Sequence, residues 1–125
     1  TAADIAGEKL DIPTNGISFL PTLLGKKRQQ KEREYLYWEF YEQGSKQAIR
    51  KGKWKAVRRP MFTGPIEIYD LSKDIAEEND LAKRNPEMVS TFEKLFAEGH
   101  TPTPDWKVSG KPNSAAAERI EMREK

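Results

Sequence analysis

Between residues 35 and 71, four short runs with strand character follow one another through connections too short to hold a crossover helix. This spacing constrains the fold more than any other feature of the chain. Consecutive strands joined that tightly can only reverse direction, so the segment is expected to form an antiparallel meander. The first run, Tyr35-Leu-Tyr-Trp-Glu-Phe-Tyr41, is rich in aromatic residues that suit a pleated surface. Its period of two sets Leu36, Trp38 and Phe40 on one face and Tyr35, Tyr37, Glu39 and Tyr41 on the other. The apolar trio is the set expected to pack into the core, leaving Glu39 for a cross-strand ion pair with a basic residue of the next hairpin. Gly44-Ser45 makes the first turn. The runs 46–51 and 53–59 are hinged at Gly52 as a tight hairpin, with Trp54, Ala56 and Arg58 on one side and Lys55 and Val57 on the other. After a loop from Pro60 to Pro65, Ile66 to Leu71 supplies an imperfectly alternating fourth strand.

The next strong pattern is helical. Asn85-Pro86 reads as a cap followed by a first-turn proline. Met88, Val89, Phe92, Leu95 and Phe96 recur at helical spacing, and Gly99 is read as the terminator. One apolar stripe calls for one partner surface. The expected fold class is therefore α+β, a four-stranded antiparallel sheet with one C-terminal amphipathic helix packed on one face. Ahead of the sheet, residues 1–7 read as the end of a helix stopped by Gly7, and Asn15-Gly16 marks a turn. Ser18 is placed to cap a short helix through Leu24, with Pro21 in its first turn. Residues 26–34 are a mixed-sign charged stretch expected to face water.

Composition limits the possible functions. Of 125 residues, 36% are hydrophobic and 34% charged, a thin core for a free-standing domain. Lys and Arg number 22 against 20 Asp and Glu, so net charge alone does not indicate a polyanion binder. The absence of Cys excludes a disulfide scaffold, a thiolate metal site and a cysteine nucleophile. No apolar run approaches the ~20 residues of a membrane-spanning helix, and no membrane partner is expected. No signal peptide is recognised, and because the chain opens on Thr1 it is expected to be a piece of something longer.

Little in the chain suggests catalysis. His100 stands alone just beyond the helix and is expected at the surface or helix end. No serine lies in a glycine-flanked elbow, and no glycine-rich phosphate loop is present. Asp74, Glu77, Glu78 and Asp80 lack the central Gly and terminal Glu of a calcium loop and read as a solvated acidic turn. The hairpin is different: Lys46, Arg50, Lys51, Lys53, Lys55, Arg58 and Arg59 surround Trp54 with no acidic residue between them. That pattern suits three readings: an anionic carbohydrate, a nucleic acid, or plain pairing with the acidic stretch from Glu67 to Asp80.

Three ordered stretches carry a family resemblance. They are Asn15-Gly-Ile-Ser-Phe-Leu-Pro-Thr-Leu-Leu-Gly25; Tyr35 to Tyr41 with Gln47-Ala-Ile-Arg50 and Gly52-Lys-Trp-Lys55; and Ile66-Glu-Ile-Tyr-Asp-Leu-Ser-Lys-Asp74 with Glu77-Glu-Asn-Asp-Leu-Ala82 and Asn85-Pro-Glu87. Together they resemble the C-terminal subdomain of bacterial type I, formylglycine-dependent sulfatases of the arylsulfatase-like kind. By that resemblance residues 1–107 are the subdomain, with a remnant helix and loop over 1–25, the sheet over 35–71 and the helix over 86–99. Residues 108–125 form a tail, disordered or a frayed helix.

The resemblance implies a parent enzyme that hydrolyses sulfate esters of sulfated carbohydrate, with calcium and formylglycine as cofactors. Neither is expected in this chain, which has no Cys and no Ser-x-Pro-x-Arg or Ser-x-Ala-x-Arg string. No catalytic or metal-binding residue is therefore assigned, and the fragment alone is expected to be inactive. Its implied partners are the missing N-terminal catalytic domain and the sulfated sugar, while nucleic acid is not expected. Trp38, Glu39, Tyr41 and Gln47 are the implied substrate-binding residues, lining one side of the cleft. Relatives place a His where Tyr41 stands; a Tyr there still donates a hydrogen bond but carries no charge near neutral pH. Where Pro-Gly or Pro-Ala is frequent, Ile75-Ala76 is expected to make the turn more helical. Periplasmic or secreted localisation is implied. The rival reading is a stand-alone binding module for anionic polysaccharide or nucleic acid.

Overall fold

A computed structural model describes residues 1–102; the tail expected over 108–125 lies outside the described residues. The chain divides into two units, one over Thr1–Glu34 and one from Tyr35 onward.

In the first unit, helix α1 (Ala2–Ala6) ends at Gly7, whose φ of 74° is the left-handed cap the sequence indicates. Helix α2 (Leu20–Leu23) carries Pro21 in its first turn, and the Ser18 hydroxyl accepts the Leu20 N–H at 3.3 Å. The charged stretch contributes a 3₁₀ turn, Lys27–Gln29. The Gln30 amide donates to the Ser18 carbonyl, and the Arg33 guanidinium to the Asn15 carbonyl. None of these 34 residues is buried.

The second unit holds strands β1 (Leu36–Phe40), β2 (Lys46–Lys51), β3 (Trp54–Arg58) and β4 (Ile66–Asp70). They pair antiparallel in the order β1-β2-β3-β4, the expected meander. Lys51 pairs with Trp54, so Gly52 and Lys53 form the two-residue turn, and Gly52 takes a φ of 58°. Helix α3 (Pro86–Gly99) lies on one face of the sheet. Its Phe92, Leu95 and Phe96 pack with Ile49, Ala56, Ile66 and Ile68 to form the core, which Met88, Val89 and Tyr37 flank. The expected α+β class and the expected apolar stripe are both present.

Three local expectations are corrected and one is borne out. The Asn85 side chain does not cap α3; its amide donates back to the Leu81 carbonyl at 2.8 Å. Gly99 closes α3, as the sequence indicates. It is the last helical residue, and a Cβ there would lie 2.7 Å from ring carbons of Tyr37, so close packing explains the glycine. Ile75-Ala76 forms a turn, not a helix, because the Asp74 carboxylate takes the Glu78 and Asn79 N–H groups and Glu77 adopts a φ of 57°.

The third correction concerns β1. Leu36, Trp38 and Phe40 point away from α3 and stay 42%, 48% and 45% exposed, while Tyr37 and Glu39 turn toward the helix side. The partition into two faces holds, but the face expected to be buried is the outer one. The polar residues have partners on the inner side that bulk hydrophobicity does not anticipate.

Candidate functional site

The inner end of β1 carries a polar cluster. Glu39 lies directly across from Gln47 of β2, and Tyr37 precedes Glu39 by one full pleat. The Tyr37 and Tyr41 hydroxyls each donate to the Glu39 carboxylate, one to each oxygen. Gln47 is 1% exposed. Its amide nitrogen donates to the Tyr37 hydroxyl at 2.8 Å, and its amide oxygen accepts the Phe62 N–H at 3.2 Å. The Ser45 hydroxyl accepts the Met61 N–H at 3.1 Å. Ser45 and Gln47 therefore pin the 60–65 loop against the start of β2, holding Phe62 with a φ of 67°.

The fourth arm arrives from α3. The Nδ1 of His100 lies 2.5 Å from Glu39 Oε1, and the two side chains are only 10% and 12% exposed. The Phe62 ring meets the imidazole edge to face at 4.8 Å. Burial opposes charge on Glu39, but the Tyr37 and Tyr41 hydroxyls and His100 outweigh it and hold the carboxyl below its ordinary range. The same bonds act in reverse on the phenols. Burial and then the bond to Glu39 push Tyr37 well up, and the bond to Glu39 pushes Tyr41 up to about 12. Near neutral pH the cluster is one carboxylate surrounded by donors.

Of the four residues singled out in the sequence, Glu39, Tyr41 and Gln47 are thus brought together. Trp38 is not among them. It lies on the outer face, lining an open cavity of about 450 Å³ with Phe40, Lys46, Val57, Arg59 and Tyr69. Glu39 bonds to two tyrosines and a histidine, not to a hairpin cation. Tyr37 and His100 were missed. Tyr37 was legible in principle, since a tyrosine alternating with a glutamate marks a polar face needing partners. Nothing local connects His100 to β1.

The hairpin cations follow the plain reading. Lys53 pairs with Asp70 at 2.8 Å, Lys55 with Glu77 at 2.5 Å and Arg59 with Glu67 at 2.8 Å. Arg58, on the inner face, pairs with Glu93 of α3 at 3.0 Å. Asp80 accepts the N–H groups of Ile68 and Ala82. Among the described residues no group of three or more His, Cys, Asp or Glu is arranged to hold a metal ion.

No family model matches the chain. An uncharacterized sulfatase of Schizosaccharomyces pombe is 33% identical over 86 residues, covering 67% of this chain and 15% of that protein. The chain is a homologue of sulfatases. A structure from work on the metabolism of multiple glycosaminoglycans by Bacteroides thetaiotaomicron is 28% identical, with a TM-score of 0.60 over 78% of this chain and 23% of that one. A protein solved with its substrate D-glucosamine-2-N,6-O-disulfate is 21% identical with a TM-score of 0.56, over 77% of this chain and 23% of that one. At that identity the likeness is one of fold. This sulfatase homologue spans about 15% of its curated relative and about a quarter or less of these two structures, the share a C-terminal subdomain would occupy.

Proposed function

We propose that this chain forms one wall of the substrate cleft in a sulfatase that hydrolyses sulfate esters of sulfated carbohydrate, and that the hydrolytic residues lie elsewhere in the parent. The observation that carries the reading is the match of 67% of the chain to only 15% of a sulfatase. The carbohydrates named with the structural neighbours support the choice of substrate class. The Glu39 cluster is the part of the wall assigned to the sugar. A carboxylate held among oriented donors offers fixed hydrogen-bonding directions, the property a polar sugar requires. The assignment covers Glu39 and Tyr41, with Gln47 buried behind them as their support; Trp38 faces the other way.

Calcium and formylglycine are proposed for the parent alone. The residues here do not fit either, since among the described residues no acidic set converges on an ion and no Cys is present. No step is routed through them. Export to the periplasm or beyond the cell is proposed on family grounds. Nothing favours a stand-alone polyanion binder, because Lys53, Lys55 and Arg59 are each paired with an acid of the same sheet unit.

The test compares two proteins. The full-length gene product should hydrolyse a 6-O-sulfated glucosamine, with release of sulfate as the readout. The present chain alone should release none from a chromogenic aryl sulfate. Turnover by the chain alone would overturn the reading.

A further inference from the structure

His100 lies immediately after α3, with its Nδ1 against the Glu39 carboxylate. An ionised carboxylate only accepts, so at 2.5 Å the His100 Nδ1 carries the shared proton. The Phe62 edge and the Glu39 bond together set the plane of the ring. Nε2, the other ring nitrogen, has no partner among the described residues. It is not sealed off either. Arg58 Nε is the only side-chain nitrogen or oxygen among the described residues that is both buried and unpartnered, so the Nε2 of His100 reaches solvent.

Glu39 and His100 are each about nine-tenths withdrawn from water, and a buried polar pair is often no more stable than an apolar replacement of the same volume. What the arrangement does provide is an imidazole oriented by a carboxylate at one nitrogen and open at the other. We propose that His100 is the substrate-contacting residue of this wall, its Nε2 hydrogen-bonding an oxygen of the sulfated sugar. Glu39, with Tyr37 and Gln47 behind it, is then a positioning residue acting through His100. This rests on the reading of the chain as a cleft wall and refines it: one residue the sequence did not single out makes the contact.

The test uses the full-length sulfatase and two esters, a 6-O-sulfated glucosamine and a small aryl sulfate. His100→Asn keeps a donor near the Nδ1 position and removes Nε2. It should raise KM for the sugar about tenfold, with a much smaller change in KM for the aryl sulfate. Glu39→Gln should act in the same direction and add nothing in the double variant, since both act through one ring. An unchanged sugar KM in His100→Asn, an equal loss on both esters, or fully additive effects would overturn the assignment. If His100→Asn fails to fold, the wild-type protein decides: the histidine ¹⁵Nε2 resonance should shift on titration with glucosamine 6-O-sulfate, and a static signal at saturation overturns the assignment. A wild-type protein inactive on both esters would remove the sulfatase reading and this assignment with it, whereas an active one with an indifferent His100→Asn removes this assignment alone.

Discussion

A methyl group at Gly99 would meet Cγ and Cδ2 of Tyr37 at 2.7 Å, inside any van der Waals contact. Replacing a helical Gly by Ala normally gains about 1 kcal/mol of propensity. Here overpacking outweighs that gain, and Gly99→Ala should destabilise the chain by about 1–3 kcal/mol in a denaturant titration. Asp70 supports a second prediction at this scale. The Lys53 ammonium 2.8 Å away and the Ser72 hydroxyl and N–H hold its carboxyl at about 2, against an ordinary 3.8. A carboxyl lowered by folding contributes stability above its unfolded value and loses it as pH falls through the folded one. Melting temperature should therefore drop between about pH 4 and pH 2, and Asp70→Asn should flatten that part of the curve.

Helix α3 was legible because its stripe at positions 88, 89, 92, 95 and 96 needs only one partner surface, and the meander supplies one. Phe96 is 1% exposed, and Phe96→Ala should cost about 3–5 kcal/mol in the same titration. The hairpin was equally legible, because Gly52 marks the one turn position needing a positive φ. Strand β1 was legible only in part. A period of two says which side chains share a face and leaves open which face turns inward. Leu36, Trp38 and Phe40 are the more apolar set, yet Gln47 opposite Glu39 and His100 beyond α3 satisfy the polar set on the inner side. No local rule reaches that far along the chain. Since Trp38 is half exposed, Trp38→Ala should change stability of the chain by no more than about 0.5 kcal/mol, where a core tryptophan would cost several times as much.

For the whole molecule, the thin hydrophobic composition has a structural counterpart. The Thr1–Glu34 unit buries no residue of its own, and Ile5, Leu10, Ile12, Phe19, Leu23 and Leu24 are more than half exposed. With the outer trio of β1, these are surfaces suited to burial within a larger sulfatase. Lys26, Lys27, Arg28, Lys31 and Arg33 all precede β1. Limited trypsin digestion should cut within that stretch first and leave a body beginning near Tyr35 intact, as mass spectrometry would show. The contact that orients β1 also has a consequence for the order of folding. Glu39 and His100 are 61 positions apart, so during synthesis β1 leaves the ribosome long before the imidazole that selects its inner face exists. Until α3 has been made, the two sets of β1 side chains compete for one surface, and a one-residue slip exchanges them. The sheet can nucleate on the local pairings of β2, β3 and β4. Of these four strands, the first to be translated is the last to be committed.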